Sequence, residues 1–210
     1  MGRVEDILEI LDRLYPQANI ELHYTNGIEL LVAVMLSAQS TDASVNRLTP
    51  ALFNTYKTLD DFADADLEKL ENAIRRIGLY KNKARNIMHA AQALRERYNG
   101  EIPDSLEALE SLPGVGRKTA NVVLSVWHGI PRIAVDTHVG RVAKRLKLAY
   151  KKDSALKVEE KLMRKIPKKK WSKAHHQFIF FGRYHCLSRN PKCDGCPLKP
   201  WCRFPHIDVR

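Results

Sequence analysis

The nine residues LPGVGRKTA at positions 112–120 join two predicted helices. The segment 104–111 before them has Asp104 as a capping candidate and apolar residues at Leu106 and Leu109, which predicts a short helix. The segment 119–127 after them is mainly apolar, and it predicts a second helix that ends before Gly129. The sequence therefore predicts a helical hairpin closed by a glycine-rich turn.

This turn suits an anion. Gly114 and Gly116 permit a positive φ and leave backbone N–H groups uncovered at the positive end of the second helix. Arg117 and Lys118 add positive charge at the same place. The turn therefore predicts a phosphate site, although the same residues also suit an ordinary helical corner with two solvated cations.

The positive charge of the chain is concentrated in one segment. The formal net charge is +11, and residues 141–175 contain fourteen Lys or Arg against three Asp or Glu, the same excess. A concentrated basic segment indicates a polyanion partner. A lysine-rich solvated face has the same composition, so the segment alone leaves both interpretations open.

Composition excludes several classes of protein. With 44% apolar and 28% charged residues over 210 positions, the chain is typical of a globular protein and not of a disordered one. The most apolar run, residues 28–36, is far shorter than the ~20 residues that span a bilayer, so no membrane partner is expected. No secretory signal is seen at the start, which predicts a cytoplasmic protein.

Helical periodicity recurs along the chain, and no strand pattern is seen. About ten helices with short loops are predicted. Besides the hairpin, the clearest are at 4–14, 28–36, 67–77 (ending at Gly78), 81–98, 136–147, 157–166 and 171–184.

Two further groups of residues carry chemistry. Asp136, in the run IAVDTHV at 133–139, stands at a predicted helix start, where it can be an N-cap or a catalytic carboxylate. Four cysteines follow with six, two and five residues between them, at Cys186, Cys193, Cys196 and Cys202. Their clustering favours a metal site over a disulfide framework, and the spacing suits zinc or a [4Fe–4S] cluster.

The hairpin, the IAVDTHV run and the cysteine spacing together resemble the endonuclease III family of DNA base-excision glycosylases. The resemblance covers nearly the whole chain and includes LSAQSTD at 36–42 and IGLY at 77–80. It implies an all-α, two-lobed helix-hairpin-helix DNA glycosylase fold. A six-helix barrel is expected at 21–131, with the hairpin at about 104–128, and an iron–sulfur cluster lobe at 1–20 and 132–210.

The resemblance also implies the activity. Family members of this kind remove oxidised or ring-saturated pyrimidines from duplex DNA and cleave the abasic site on its 3′ side. Lys118 is then the nucleophile that attacks C1′ and forms a Schiff base, because neighbouring positive charge favours its neutral form. Asp136 stabilises positive charge on the sugar and accepts the lysine proton. The expected cofactor is a [4Fe–4S] cluster on the four cysteines, and the expected state is a monomer associated with the nucleoid.

Several DNA contacts follow from the same resemblance. Gln39 is expected opposite the estranged base, with Leu79 as an apolar wedge; without the resemblance, they read as a helix-end glutamine and a core leucine. The other expected DNA-binding residues are Gly114, Val115, Gly116, Arg117, His138, Arg189 and Lys192. Asn190 and Gly140 depart from the residues that relatives often carry, a lysine and a bulky side chain.

Two alternative functions remain at this point. A monofunctional mismatch glycosylase of the same superfamily is one, although such relatives typically lack a lysine at the position of Lys118. A non-catalytic helix-hairpin-helix module with structural zinc is the other; it would bind DNA mainly through phosphates and would release no base.

Overall fold

The computed structural model describes residues 2–204 and contains no β-strand within that range. The all-α prediction is therefore confirmed. In chain order the helices are α1 (Arg3–Leu14), α2 (Gly27–Ser37), α3 (Asp42–Thr55), α4 (Leu59–Ala63), α5 (Leu67–Ala73), α6 (Tyr80–Tyr98), α7 (Leu106–Glu110), α8 (Arg117–Val126), α9 (Thr137–Arg145), α10 (Ala155–Lys165) and α11 (Trp171–Tyr184). Short 3₁₀ helices cover Lys168–Lys170 and Lys199–Trp201.

The chain divides into two compact units. One unit is Glu21–Gly129, with helices α2 to α8. The other combines the described residues of Met1–Ile20 and Ile130–Arg210, so α1 belongs with α9, α10 and α11. Among the described residues, no helix has the length and apolar character needed to cross a membrane.

Helix α2 is the centre of the unit Glu21–Gly129. All residues from Leu30 to Leu36 are buried, and the helix packs against α3, α6 and α8. Its start is fixed by Asn26, whose side chain accepts the N–H of Glu29 at 2.9 Å. Burial of each Leu side chain contributes about 1.5–3 kcal/mol, so a helix that is apolar on every side is stable only in such an interior.

Two features of this unit differ from the sequence predictions. Helix α5 ends at Ala73, and not at the predicted residue 77, and the two isoleucines that follow it, Ile74 and Ile77, are both buried. The short helix α4 was not predicted; Thr58 caps it by accepting the N–H of Asp61 at 3.1 Å. By contrast, α6 ends at Tyr98 as predicted, and the two residues after it, Asn99 and Gly100, both have a positive φ.

The other unit has its own apolar core. Four helices contribute to it, with Ile7 and Leu11 from α1, Val142 from α9, Leu162 from α10, and Phe178 and Phe181 from α11. At its edge, Gln177 Nε2 donates to Asp12 Oδ1 at 2.9 Å. Lys173 also pairs with Asp12, and this bond is the main reason that the pKa of Asp12 is lowered. Helix α11 has the predicted bounds, whereas α9 stops at Arg145, two residues before the predicted end.

Candidate functional site

The helical hairpin is present, with small changes of boundary. Ser105, and not Asp104, caps α7, because Ser105 Oγ accepts the N–H of Ala108 at 3.2 Å. Helix α8 begins at Arg117, two residues before the predicted start, and Gly116 is its N-cap residue. Lys118 is therefore the second residue of α8, with an exposed side chain.

The two hairpin glycines differ in backbone conformation and in the space around them. Gly114 has φ +76°, and a Cβ added there would lie 2.7 Å from the Cβ of Asn86. No other residue fits that position without displacing α6. Gly116 has φ −93°, and a Cβ there would meet nothing within 4 Å. The expectation of a positive φ is therefore right for Gly114 and wrong for Gly116.

The other hairpin residues have packing or pairing contacts of their own. Val115 is buried, and its N–H donates to Leu112 O at 3.1 Å, so neither group is open to a phosphate. The expected phosphate contact therefore falls to the N–H groups of Gly114 and Gly116, and Val115 has a packing role. Arg117 lies 3.9 Å from the Glu110 carboxylate across the turn, and both side chains are partly exposed. This distance fits a weak surface ion pair that a stronger anion can replace.

Gln39 and Leu79 are both exposed and both have a left-handed backbone. Gln39 lies in the loop between α2 and α3 with φ +57°. Leu79 has φ +60°, stands at the N-cap of α6 and is 57% exposed. A core position for Leu79 is therefore excluded, and its apolar side chain is available to a partner.

Asp136 caps α9 in the way its sequence context predicts. Its Oδ1 atom accepts the N–H of Val139 at 2.8 Å, and the side chain is half-buried. The cap uses one carboxylate oxygen and leaves the second available for another role. Lys118 belongs to the unit Glu21–Gly129, and Asp136 belongs to the other unit.

His138 and Gly140 lie on α9 just after Asp136. The Nδ1 atom of His138 is 3.3 Å from Arg141 Nη2. The Cβ atom of His138 also packs closely on Gly182 of α11, because a Cβ added to Gly182 would lie only 2.8 Å from it. His138 therefore has structural contacts whatever its role toward DNA. A Cβ at Gly140 would be 3.7 Å from Val135, an ordinary contact, so no crowding explains this glycine.

Two arginines of α9 that were not predicted as site residues donate hydrogen bonds to the first cysteine and to the loop after it. Arg141 donates to Gly182 O at 2.6 Å and to Cys186 O at 3.1 Å, and burial lowers the pKa of its guanidinium. Arg145 donates to Leu187 O at 2.6 Å and to Ser188 O at 3.2 Å. Their spacing of four residues puts both side chains on one face of α9, which is the only sequence signal of this role.

The four cysteines are free and partly buried, and Cys186, Cys196 and Cys202 pack against the core of their unit. Burial raises the pKa of Cys196 and of Cys202, and negative charge on the neighbouring cysteines raises both pKa values further. Arg145 also lies 3.3 Å from Cys186 Sγ as a donor. Within residues 2–204 no group of three or more His, Cys, Asp or Glu side chains is arranged to hold a metal ion. The fit to a cluster therefore rests on the donor set, four mutually interacting thiols next to a cationic donor.

The loop between the first two cysteines is exposed. Arg189 and Lys192 both present their side chains to solvent, and Asn190 between them has φ +49°. Asparagine tolerates this left-handed backbone better than lysine does, which is a local reason for the departure at this position.

Comparison with known proteins gives a consistent result. A family model described as the HhH-GPD superfamily of base excision DNA repair proteins matches residues 32–168. Endonuclease III of Bacillus subtilis (strain 168) is 53% identical over 203 residues, covering 97% of this chain and 93% of that protein. Endonuclease III of Escherichia coli (strain K12) is 44% identical over 206 residues, covering 96% and 97%. A solved structure of a trapped endonuclease III–DNA covalent intermediate with an estranged adenine matches with a TM-score of 0.95 and 50% identity, over 100% of both chains.

Proposed function

The chain belongs to the HhH-GPD superfamily and, within it, to the endonuclease III family, and we propose that it is a bifunctional DNA glycosylase and abasic-site lyase. Its substrates are oxidised or ring-saturated pyrimidines in duplex DNA. Because its substrate is DNA, we also expect it to be associated with the nucleoid. The observation that carries the proposal is Lys118, exposed at the start of α8 beside the hairpin, in a chain that matches a covalently trapped relative over its full length.

Lys118 is the proposed nucleophile. The lone pair of its Nζ attacks C1′ of the damaged nucleotide, and the bond from C1′ to the base breaks, with its electron pair leaving on the base. Asp136 takes one proton from the resulting ammonium group, and the sugar ring then opens as the bond from C1′ to the ring oxygen breaks and that oxygen takes up a proton. The product is a protonated Schiff base between Nζ and C1′. Removal of a proton from C2′ then expels the 3′ phosphate, which cuts the strand.

Asp136 is the proposed electrostatic partner. Rupture of the glycosidic bond leaves positive charge on the sugar, and a fixed carboxylate lowers the energy of that state. Because its Oδ1 already accepts the N–H of Val139, the carboxylate is held in one orientation before substrate arrives. It is also the proposed acceptor of the Lys118 proton.

The proposed DNA contacts divide between the two units. In Glu21–Gly129, which we take as the barrel domain, the N–H groups of Gly114 and Gly116 and the side chain of Arg117 bind phosphate, and Gln39 and Leu79 enter the duplex. In the other unit, which we take as the cluster domain, the exposed Arg189 and Lys192 contact phosphate. His138 has a supporting role beside the substrate.

Cys186, Cys193, Cys196 and Cys202 are the proposed ligands of a [4Fe–4S] cluster. When bound, the cluster supplies a covalent link between distant points of a segment that has almost no regular secondary structure. Arg141 and Arg145 hold the first ligand and the loop after it through backbone carbonyls. No step of base removal uses the cluster.

The test is reductive trapping with borohydride. Wild-type protein is mixed with a duplex that carries one thymine glycol, and the covalent adduct is measured on a denaturing gel. Lys118→Ala and a duplex with an abasic site are run in parallel. We expect an adduct on both duplexes with wild type and none with Lys118→Ala.

The other outcomes separate the alternatives. An adduct on abasic DNA alone would support the lyase activity and would contradict the proposed base substrates. Base release without any adduct indicates a monofunctional enzyme. DNA binding without base release, in a colourless protein that contains one zinc per chain, indicates the non-catalytic module. A brown protein with iron is expected instead.

A further inference from the structure

Lys83 is a buried lysine whose ammonium group bonds only to neutral oxygens in the contacts described. It lies on α6 and is 7% exposed. Its Nζ donates to Leu36 O at 2.8 Å, to Ala38 O at 2.6 Å and to Ser40 Oγ at 3.2 Å. Burial lowers the pKa of this amine. A lysine is rarely placed in such surroundings without a specific use, because its desolvation has to be offset.

The three acceptors share one location, the end of α2 and the loop that follows it. The last carbonyls of a helix have no partner within the helix, and a cation there is favoured by the helix dipole. Ala38 and Ser40 are the two neighbours of Gln39, so the Lys83 ammonium group bonds to the residue on each side of it. Gln39 itself is exposed and left-handed, with φ +57°.

The backbone of Lys83 reaches the second exposed residue. Its N–H donates to Leu79 O at 3.0 Å, the bond that begins α6. Leu79 is also left-handed, with φ +60°. Such a backbone in a residue other than glycine costs free energy and persists only where the surroundings hold it. One buried residue thus connects the backbone around Gln39 to the backbone of Leu79.

We propose that Lys83 is a positioning residue that fixes the spacing of Gln39 and Leu79 for their entry into the DNA helix. The inference rests on the proposed function, in which these two side chains occupy the space of an extruded base. Extrusion requires the unstacking of a base, so the side chains that replace it must be in place without a further search of conformations. An error of about 1 Å in such a placement reduces a rate by about a hundredfold.

A purely stabilising role for Lys83 predicts something different. As a cap of α2, it would raise the melting temperature, and its loss would slow the reaction only when part of the protein is unfolded. The loss of rate on substitution of Lys83 would then be the same whether or not residue 39 is a glutamine. The dependence on Gln39 is therefore the measurement that separates positioning from stability.

The experiment compares Lys83→Met, Gln39→Ala and the double variant with wild type. Release of thymine glycol is measured in single turnovers with saturating protein, at a temperature where circular dichroism shows every variant to be folded. A duplex with 2-aminopurine opposite the lesion reports unstacking by its fluorescence. Lys81→Met, an exposed lysine of the same helix, is the matched control.

We expect Lys83→Met to slow base release about 10- to 100-fold and to reduce the fluorescence change. In the Gln39→Ala background, the same substitution should slow base release by a factor at least about threefold smaller than in wild type, because one of the two side chains to be positioned is absent. Lys81→Met should stay within about threefold of wild type. Equal losses in both backgrounds, or a wild-type rate for folded Lys83→Met, would overturn the proposal.

A second variant covers the case in which Lys83→Met does not fold. Lys83→Gln keeps a neutral donor that reaches fewer of the three oxygens, and the same dependence on Gln39 is expected with a smaller loss. Failure of the proposed function is seen separately, because wild type would then release no thymine glycol and form no trapped adduct. If wild type acts and the Lys83 variants act equally well, only the role of Lys83 is rejected.

Discussion

The helices that carry Lys118 and Asp136 begin in different ways. Helix α8 begins after Gly116, which has no side chain, so the positive helix end stays open beside Arg117 and Lys118. Helix α9 begins after Asp136, whose carboxylate accepts the N–H of Val139 and places a negative charge at the positive end of the helix. An open N-terminus is suited to an external anion, whereas a closed one fixes a carboxylate in place.

This difference shows how one local element serves two tasks. At α8 the sequence leaves backbone donors without a side-chain cap, and at α9 it uses such donors to orient a charged side chain. Capping strength and charge are thus separate properties of each position, and substitutions that change only one of them are informative.

The largest effect is expected at Asp136. Asp136→Asn keeps a strong N-cap but removes the charge, so we expect base release to fall roughly 10²- to 10⁴-fold while the free energy of unfolding changes by less than about 0.5 kcal/mol. Single-turnover kinetics and urea unfolding measure the two quantities. Asp136→Ala should add a loss of about 1 kcal/mol in stability. An Asn variant that is active would mean that the carboxylate serves only as a cap.

The next effect concerns the far end of α9. Arg145→Met leaves the carbonyls of Leu187 and Ser188 without their donor, which should cost about 2–3 kcal/mol of local stability. Hydrogen–deuterium exchange of peptides from 186–204 should accelerate accordingly, and iron content should fall. Arg164→Met, an exposed residue of α10, is the control and should change neither. Unchanged exchange in Arg145→Met would show that the cysteine segment is held in another way.

The third prediction separates the two hairpin glycines. Gly114→Ala forces an L-residue into φ +76° and places its Cβ 2.7 Å from Asn86, so a loss of about 2–3 kcal/mol is expected. Gly116→Ala meets no atom within 4 Å and should cost less than about 1 kcal/mol. Urea unfolding of both variants measures the difference. Equal losses would mean that the turn, and not the contact with α6, demands glycine.

The smallest effect tests the open end of α8 directly. Gly116→Asp gives α8 the same kind of cap as α9, and the extended backbone at φ −93° accepts it. The new carboxylate should occupy the N–H groups and repel phosphate, so the Kd for duplex DNA should rise about tenfold, or ~1.4 kcal/mol. Gly116→Asn has the same shape without the charge and should weaken binding less. Equal Kd values for Asp and Asn would argue against a phosphate at this turn.

The sequence predicted best those features that depend on neighbouring residues. The bounds of α11 and the cap by Asp136 follow from local pattern. The burial of α2 agrees with its sequence, because a helix that is apolar all round is stable only in an interior. The family resemblance added the activity, which composition and spacing alone left open.

Features that depend on distant contacts were not predicted. Gly114 differs from Gly116 in its positive φ and in its contact with Asn86 of α6, and neither difference can be recognised in the sequence of the turn. Arg141 and Arg145 bind backbone carbonyls, which every residue possesses, so their acceptors leave no mark in the sequence. For the same reason, the burial of Lys83 could not be read from a helix rich in charged residues.

The division of the chain has a consequence for its synthesis. Helix α1 is made early, yet the partner of its Asp12 in α11 follows 165 residues later. At a ribosomal rate of 5–20 residues per second, roughly 10 to 30 seconds pass between the synthesis of α1 and that of the part of α11 that packs on it. The segment Glu21–Gly129 emerges in that interval and contains its own buried core. The apolar residues of α1 are therefore unburied while Glu21–Gly129 is synthesised, so that unit folds beside an exposed apolar segment.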